Sequence, residues 1–448
     1  MLSQSSGLHE YLGLKEIAGW GPNEVFTQAD ALQLIRQQKQ LDYVPGTKFS
    51  RTHTGLVLLA EVVQKVTQQS IADYTKEHIF EPLQMTNTQF CEDYESIIPN
   101  AAVSYQATKD GYKKRGIINA VVGPTNLYIS AADMCRWYLN FKHPKVGSAG
   151  LIKKMTSPVT LNDGRTYNTT SGEFLCGQQF EHPERGIPKY WNYGLAGGYA
   201  SNIFIFPGQE LTSFVIGNNN RYNGMPAMQM AFETLGDVFP EPPSIDFSKV
   251  KTIKLSSKEL AKHEGYYLDE DAGYGRRIYV KNDTLRYGRL GSERENALVP
   301  LSPNTFQMVV GSDDKLIFTF DKKEGQKRML LNVGGSDPLV YTAYEPAEYT
   351  PTALTQFTGT FYSTDLNTTY TFSVKDEQLV ASHFRKNDIR FTPLKKDLFS
   401  GSAWYFGTIQ FERNEQGDIT GFSVGFDGIK NLKFEKVVKV HQREDKAG

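Results

Sequence analysis

The sequence predicts an α+β domain followed by two antiparallel β-barrels, and three observations carry that expectation. Apolar residues recur at helical spacing in several segments before residue 240. Pro240-Glu241-Pro242-Pro243 then breaks the pattern, so 240–250 reads as a linker. Beyond it, separate blocks repeat at a near-constant offset. Leu260–Tyr267 matches Leu354–Phe361 and Val280–Leu285 matches Val374–Leu379, both 94 residues on; Pro300-Leu301 to Phe306 matches Pro393-Leu394 to Phe399, 93 residues on. That period is too long for a solenoid unit and marks duplicated domains. The expected domains are 1–240, 251–346 and 347–441.

The opening, Leu2–Leu8, is turn-like. Residues 29–41 read as a short amphipathic helix. Pro45–Gly55 reads as a tight turn, a short buried strand and a loop feeding a helix, with Thr52 and Thr54 as candidate N-caps. In that helix Leu59, Val62, Val63 and Val66 fall on one apolar face, expected to anchor it in the core. Ser70 can cap the next helix, which ends before Pro82. Ser130 and Asp133 form a capping-box pattern, and Met134, Trp137, Tyr138 and Phe141 follow at helical spacing. Strands are expected at 203–206 and, returning antiparallel, at 212–220, with a last helix near Met228–Val238.

In the second repeat Tyr370, Phe372 and Val374 alternate with polar residues, as do Ile409 and Phe411, and Phe422, Val424 and Phe426. Turn signals fall at 386–388, 414–417 and 427–428. About eight strand candidates are enough to close a small up-and-down barrel whose interior is either filled by side chains, the default, or holds a small apolar ligand. The barrels are expected to fold independently of the first domain.

Composition excludes several function classes. The 448 residues carry 49 basic and 50 acidic side chains, so no basic field argues for nucleic acid or an anionic membrane. Cys91, Cys135 and Cys176 are far apart and read as free buried thiols. His9, His78, His143, His182, His263, His383 and His441 show no metal spacing, so no metal or cofactor is expected. No apolar run approaches the roughly 18 residues of a membrane helix, and the chain does not open on a signal peptide. Compartment and oligomeric state stay unassigned.

Several of these segments resemble the serine β-lactamase-related family of class C β-lactamases, penicillin-binding D,D-peptidases, D-aminopeptidases and related esterases. Phe49–Gly55 resembles its second active-site motif, F-x-Y-x-N-x-G, with Arg51 at the tyrosine position and His53 at the asparagine position. Ile79–Phe90 is close to the family's I-F-E-P-L-G-M-T-x-T-x-F, and Leu127–Met134 resembles G-L-x-S-T-A-x-D-M. Tyr193–Pro207 sits where the family has [KH]-[TSA]-G; Leu195 takes the Lys/His position and Gly197 is kept. Leu2–Leu8 resembles L-L-[ST]-H-T-S-G-L, a block normally well inside the fold, which implies that this chain starts partway into the domain. The tandem barrels resemble, in architecture, the lipocalin-like accessory domains of the D-aminopeptidase branch.

The resemblance implies acyl-serine hydrolysis of a β-lactam, a D-amino-acid peptide or an ester. That chemistry needs Ser-x-x-Lys on one helix face, a proton-relaying tyrosine, and a Lys or His with a backbone N–H at the third motif. Here Ser-x-x-Lys falls at Ser248–Lys251, in the linker, and at Ser312–Lys315, in a barrel turn; both read as coincidence. Arg51 is a carboxylate clamp or a partly exposed arginine, and its permanent charge cannot relay a proton as a phenol does. His53 is a general base or a structural histidine. Leu195 removes a polar donor, and Gly197-Gly198 shape either an oxyanion-type pocket or a plain turn. No intact catalytic set is therefore expected, and activity is expected to be absent or weak. The alternative is a non-enzymatic binding protein for cell-wall peptides or another small ligand.

Overall fold

The structure is a computed structural model of the chain. It describes all residues except 22, 117–118, 156, 158, 168–179, 182–186, 222–224, 237, 239–250, 271–272, 291–293, 311–315, 334–337, 427 and 438–448. The expected linker, Ser248, the pair Ser312–Lys315, Cys176, His182 and His441 lie outside the described residues.

The first half comprises helices, short hairpins and one small antiparallel sheet with its own core. Helix α1 is Tyr11–Ile17, α2 is Gln28–Gln37 and α3 is Thr54–Thr67. Thr27 and Asp30 exchange side-chain and backbone bonds at the start of α2, so a capping box fixes that end. Helix α4, Ala131–Lys142, begins at Ser130, whose hydroxyl accepts from the Asp133 N–H. The Asp133 carboxylate turns instead to the Asn87 N–H and the Thr88 hydroxyl, at 2.6 and 2.9 Å, and ties α4 to the preceding loop. A hairpin, β1 (Ser104–Thr108) and β2 (Gly111–Arg115), follows the loop. Strands β3 (Pro188–Ala196), β4 (Tyr199–Phe206) and β5 (Leu211–Gly217) form an antiparallel meander, and helix α5, Met225–Thr234, covers it. Phe204, Phe206, Ala227, Met228 and Ala231 are the core of that pair.

The second half is two closed eight-stranded antiparallel barrels. The first comprises β6 (Gly265–Asp269), β7 (Tyr274–Lys281), β8 (Thr284–Arg289), β9 (Glu295–Ser302), β10 (Thr305–Met308), β11 (Leu316–Lys323), β12 (Gln326–Val333) and β13 (Leu339–Tyr344). The second comprises β14 (Gly359–Ser363), β15 (Thr368–Lys375), β16 (Gln378–His383), β17 (Lys386–Lys395), β18 (Leu398–Gly401), β19 (Thr408–Arg413), β20 (Ile419–Phe426) and β21 (Ile429–Lys436). Each closes by pairing its first strand with its last. The period-2 alternation puts Phe361, Tyr370, Phe372, Phe391, Phe411 and Phe422 inside the second barrel, where rings pack edge to face and fill the interior. The 386–388 turn signal is corrected: Lys386 already begins β17, and the reversal falls at Phe384-Arg385.

The second barrel is packed into the first half. Tyr11, Leu14, Ile17, Phe26 and Ile35 share one continuous hydrophobic core with the second barrel's Phe406, Phe426, Ile429 and Phe434. The end of α1 enters that barrel's mouth. Tyr370 Oη donates to Ile17 O at 2.9 Å, and Lys386 Nζ reaches the Glu16 carboxylate at 2.5 Å. Gly13 is what lets helix and barrel meet, since a Cβ there would lie 2.2 Å from Phe426 Cζ. The first barrel keeps its own core and touches the second through Leu268, Leu394 and Leu398.

Two further expectations are corrected. On α3 the buried positions are Thr54, Gly55, Val57 and Ala60, while Val62 and Val66 are 47% and 76% exposed. Spacing placed the apolar side chains on one face, but α3 turns its small residues inward so that its start can sit against α1. Cys91 is half-buried and Cys135 exposed, so neither is a buried thiol.

Candidate functional site

The loop at 45–53 has no strand of its own; it is held by its neighbours. Gly46, with φ 81°, closes the turn that Pro45 opens, and its N–H donates to Ser5 O. The N-terminal block then takes over. Gln4 is almost fully buried; its backbone O accepts from Ser50 N and its Oε1 from Thr52 N at 3.0 Å. Thr52 Oγ1 accepts from the Thr54 N–H, the first of α3, at 3.2 Å, whereas the Thr54 side chain does not cap the helix. His53 is the N-cap residue without a side-chain cap bond, because its imidazole is turned to Glu10. The Thr54 hydroxyl is spent across the interface, donating to His9 O at 2.6 Å and accepting from Tyr11 N at 2.9 Å.

Glu10 is the centre of this region, and no sequence spacing marked it. Its carboxylate caps α1 through the Leu12 N–H at 3.0 Å, accepts from the His53 N–H at 2.6 Å, and lies 3.2 Å from His53 Nδ1. Burial alone pushes the Glu10 carboxyl up; the bond and charge of His53 and the two backbone N–H donors outweigh it and hold it below the ordinary carboxylate range. With Glu10 ionised, His53 Nδ1 is the donor across the 3.2 Å contact and Glu10 the acceptor. The second barrel reaches the same spot. Glu10 N donates to Gly428 O at 2.7 Å, and a Cβ on Gly428, whose φ is +78°, would lie 2.9 Å from Glu10 Cβ.

Arg51 turns the other way, to the sheet. Its guanidinium carbon stands 4.7 Å from the Tyr193 ring centroid, and Nη1 donates to Tyr193 Oη at 2.5 Å. The second- and third-motif segments are therefore in contact, through a cation on a phenol. Leu195, two residues on along β3 on the same face, is 65% exposed and presents only apolar surface. Gly197 and Gly198 have φ +54° and +91° and make the tight turn from β3 to β4. Gly197 O accepts from the buried Ser104 hydroxyl at 2.6 Å, and a Cβ on Gly198 would lie 2.9 Å from Tyr105 O. The glycines serve the seat of the β1–β2 hairpin.

A loop-and-helix segment facing the edge of an antiparallel sheet, followed by accessory barrels, defines a β-lactamase-type domain with appended modules. Residues 1–231 match the Beta-lactamase family model, more than half of the 448 residues, and the chain belongs to that family. It is 28% identical to a D-aminopeptidase of Brucella canis over 191 residues, 40% of this chain and 36% of the relative. It thus spans about a third of the length of the curated relatives of that group. With a D-aminopeptidase of Brucella anthropi it is 20% identical over 456 aligned residues, 98% of this chain and 80% of the relative. Among solved structures, an octameric penicillin-binding protein homologue from Pyrococcus abyssi aligns at TM-score 0.46 and 20% identity, covering 76% of each chain. A D-stereospecific amidohydrolase from Streptomyces aligns at TM-score 0.42 and 15% identity, over 52% of this chain and 71% of that one.

Proposed function

We propose that this chain is a β-lactamase-related serine hydrolase homologue whose ancestral chemistry is acyl-serine hydrolysis of a β-lactam, a D-amino-acid peptide or an ester, and that as it stands it turns such substrates over weakly or not at all. The observation that carries this reading is the engagement of Arg51. At the position where the family places a proton-relaying tyrosine stands a permanent cation, locked on the Tyr193 ring and hydroxyl. His53, at the asparagine position, is occupied with Glu10, and Leu195 brings no polar donor to the third-motif position. Among the described residues no Ser-x-x-Lys pair stands on a helix, so the Glu10–His53 pair has no designated hydroxyl to activate. The division into a β-lactamase-related domain at 1–240 and barrel domains at 251–346 and 347–441 belongs to the same proposal.

The alternative is binding without turnover. Arg51 and Tyr193 favour it, because a guanidinium beside a phenol at the edge of a sheet suits the carboxylate of a peptide or an opened β-lactam. Saturable binding of a muropeptide fragment without hydrolysis would favour this second reading, and steady-state assays with a chromogenic cephalosporin, D-alanine p-nitroanilide and p-nitrophenyl acetate test the first. The hydrolase-relic reading expects rates at the buffer background. A kcat within the ordinary enzyme range of about 1–1000 per second on any of them would overturn it.

A further inference from the structure

Strand β16 ends on a buried histidine whose ring lies against the end of α1. His383 is 6% exposed. Its ring centroid is 4.8 Å from that of Tyr370, the residue that donates to Ile17 O. The other side meets the turn after α1: a Cβ on Gly19, whose φ is +97°, would fall 2.3 Å from His383 Cε1. Both ring nitrogens are engaged. The Arg385 N–H donates to Nδ1 at 3.1 Å, and Nε2 is 2.9 Å from Oγ1 of the buried Thr368. A backbone N–H can only donate, so Nδ1 is an acceptor, and the neutral ring carries its proton on Nε2, directed to Thr368.

A second proton on this ring would set an Nδ1–H against the Arg385 N–H, donor against donor, where almost no water reaches. The charged neighbours add to the cost. Lys386 and Arg385 stand on the hairpin side, and each is already matched by a carboxylate from the α1 side. Lys386 Nζ donates to Glu16 at 2.5 Å and to Trp20 O, and it lies 5.3 Å from the Tyr405 ring centroid. Arg385 donates to Glu24 and stands 5.5 Å from the Trp20 ring. Lys15 is the other cation in the last turn of α1. Burial first, then the charges of Lys386 and Arg385, hold the His383 imidazole below its ordinary pKa. These contacts join the β16–β17 tip to the end of α1 and the turn behind it. There the N–H groups of Ala18, Gly19 and Trp20 donate to Leu14 O, Glu16 O and Lys15 O.

We propose that His383 is the pin of a proton-sensitive latch: while neutral it lets the β16–β17 tip hold the end of α1 in the mouth of the second barrel, and on protonation that end is released. Helix α1 is only seven residues long, and Glu10 at its other end holds His53, so the latch lies one short helix away from the start of α3. The sign follows from the lowered affinity of the latched ring for a proton. The latch is at full strength above the ordinary imidazole pKa, near 6.5, and weakens about tenfold per pH unit below it until the latched ring itself titrates. From pH 7.5 to 5.5 release should rise about tenfold. Ordinary carboxylates titrate near pH 4, below this window. His9 and His53 stand at the opposite end of α1, beside Asp42 and Glu10.

The test is hydrogen exchange of the full chain, followed by mass spectrometry at pH 7.5 and 5.5 with rates corrected for the intrinsic pH dependence of exchange. In the parent, the segment containing the Ala18, Gly19 and Trp20 amides should lose about tenfold in protection at the lower pH, while Ile409 and Phe411 of β19 keep theirs. His383→Asn keeps an acceptor near the Nδ1 position and His383→Gln a donor near Nε2, and neither takes up a proton. In both, protection of the 18–20 segment should change less than twofold between the two pH values. The readout is the ratio within each protein, so a variant with a looser latch at pH 7.5 is equally decisive. A parent without a pH effect on this segment, or a tenfold effect that persists in both His383 variants, would overturn the proposal. Equal loss of protection in β19 would also overturn it, in favour of acid unfolding of the whole barrel.

Discussion

Gly13→Ala is the sharpest perturbation of the junction between α1 and the second barrel. In an ordinary helix interior the change is favourable by about 1 kcal/mol, since alanine has the higher helix propensity. At this position the new Cβ would lie 2.2 Å from Phe426 Cζ, 2.7 Å from Phe426 Cε1 and 2.8 Å from Ile429 Cδ1. Ordinary carbon contacts begin near 3.5 Å, so ring and helix must separate by more than an ångström. Phe426 cannot swing away freely: it is 9% exposed, and Trp404 packs edge-on against it at 5.7 Å. Overpacking of this kind costs roughly 1–3 kcal/mol. Set against the propensity gain, this leaves a net loss of about 0–2 kcal/mol and, at roughly 2–4 °C per kcal/mol, a melting temperature lower by up to several degrees. Gly150 in the short helix Ala149–Met155 is the control, because the nearest atom to its added Cβ is Ser148 Oγ at 3.8 Å. Gly150→Ala should be neutral or stabilising by up to about 1 kcal/mol. Thermal unfolding by circular dichroism reads both. The double variant Gly13→Ala with Phe426→Leu should lose less than the sum of its singles, by about 0.5–3 kcal/mol. A Gly13→Ala protein that melts higher than the parent, as Gly150→Ala does, would refute the shared core.

Other outcomes follow from the same contacts. Tyr370→Phe removes the donor to Ile17 O and leaves a buried carbonyl unpaired, so it should destabilise by about 1–3 kcal/mol in denaturant titration, and no change would mean that the barrel mouth does not hold α1. Glu10 has its folded pKa depressed, so its contribution is present above the unfolded carboxylate pKa and is lost as pH falls through the folded value. The stability gap between parent and Glu10→Gln should therefore be open at pH 7 and close on acidification; a gap that widens toward low pH would contradict the Glu10–His53 pairing. Val66→Ser, at a position 76% exposed, should change stability by less than about 0.5 kcal/mol, whereas a cost of several kcal/mol would restore the buried apolar face that spacing alone implied.

The barrels were legible because their signal is local and repeated. Alternation of Phe and Tyr with polar residues is what a strand with one buried face requires, and the 94-residue offset returns as register: Ile278 pairs with Tyr287 as Phe372 pairs with Ala381. Strands β4 and β5 and the Ser130 cap of α4 were legible from signals equally local. The junction was not. Tyr370 and Ile17 are 353 residues apart, and nothing in either segment advertises a partner. The start of α3 was misread because the capping hydroxyl of Thr54 is drawn off to His9 and Tyr11, a tertiary demand that outweighs the local preference. Glu10 escaped notice because a single carboxylate carries no spacing; its role appears only when the fold brings His53 and Gly428 to it. Arg51 and Leu195 were found by frame, and their surroundings add what frame cannot, a cation committed to a phenol beside an apolar side chain.

The most direct test of the functional reading is the intact mass of the chain after prolonged incubation with a fluorophosphonate and, separately, with benzylpenicillin. An unmodified mass in both, with the protein still folded by circular dichroism, is the expected result for a site that holds Arg51 on Tyr193 and His53 on Glu10 without an activated serine. A stoichiometric adduct mapped to any serine would contradict it.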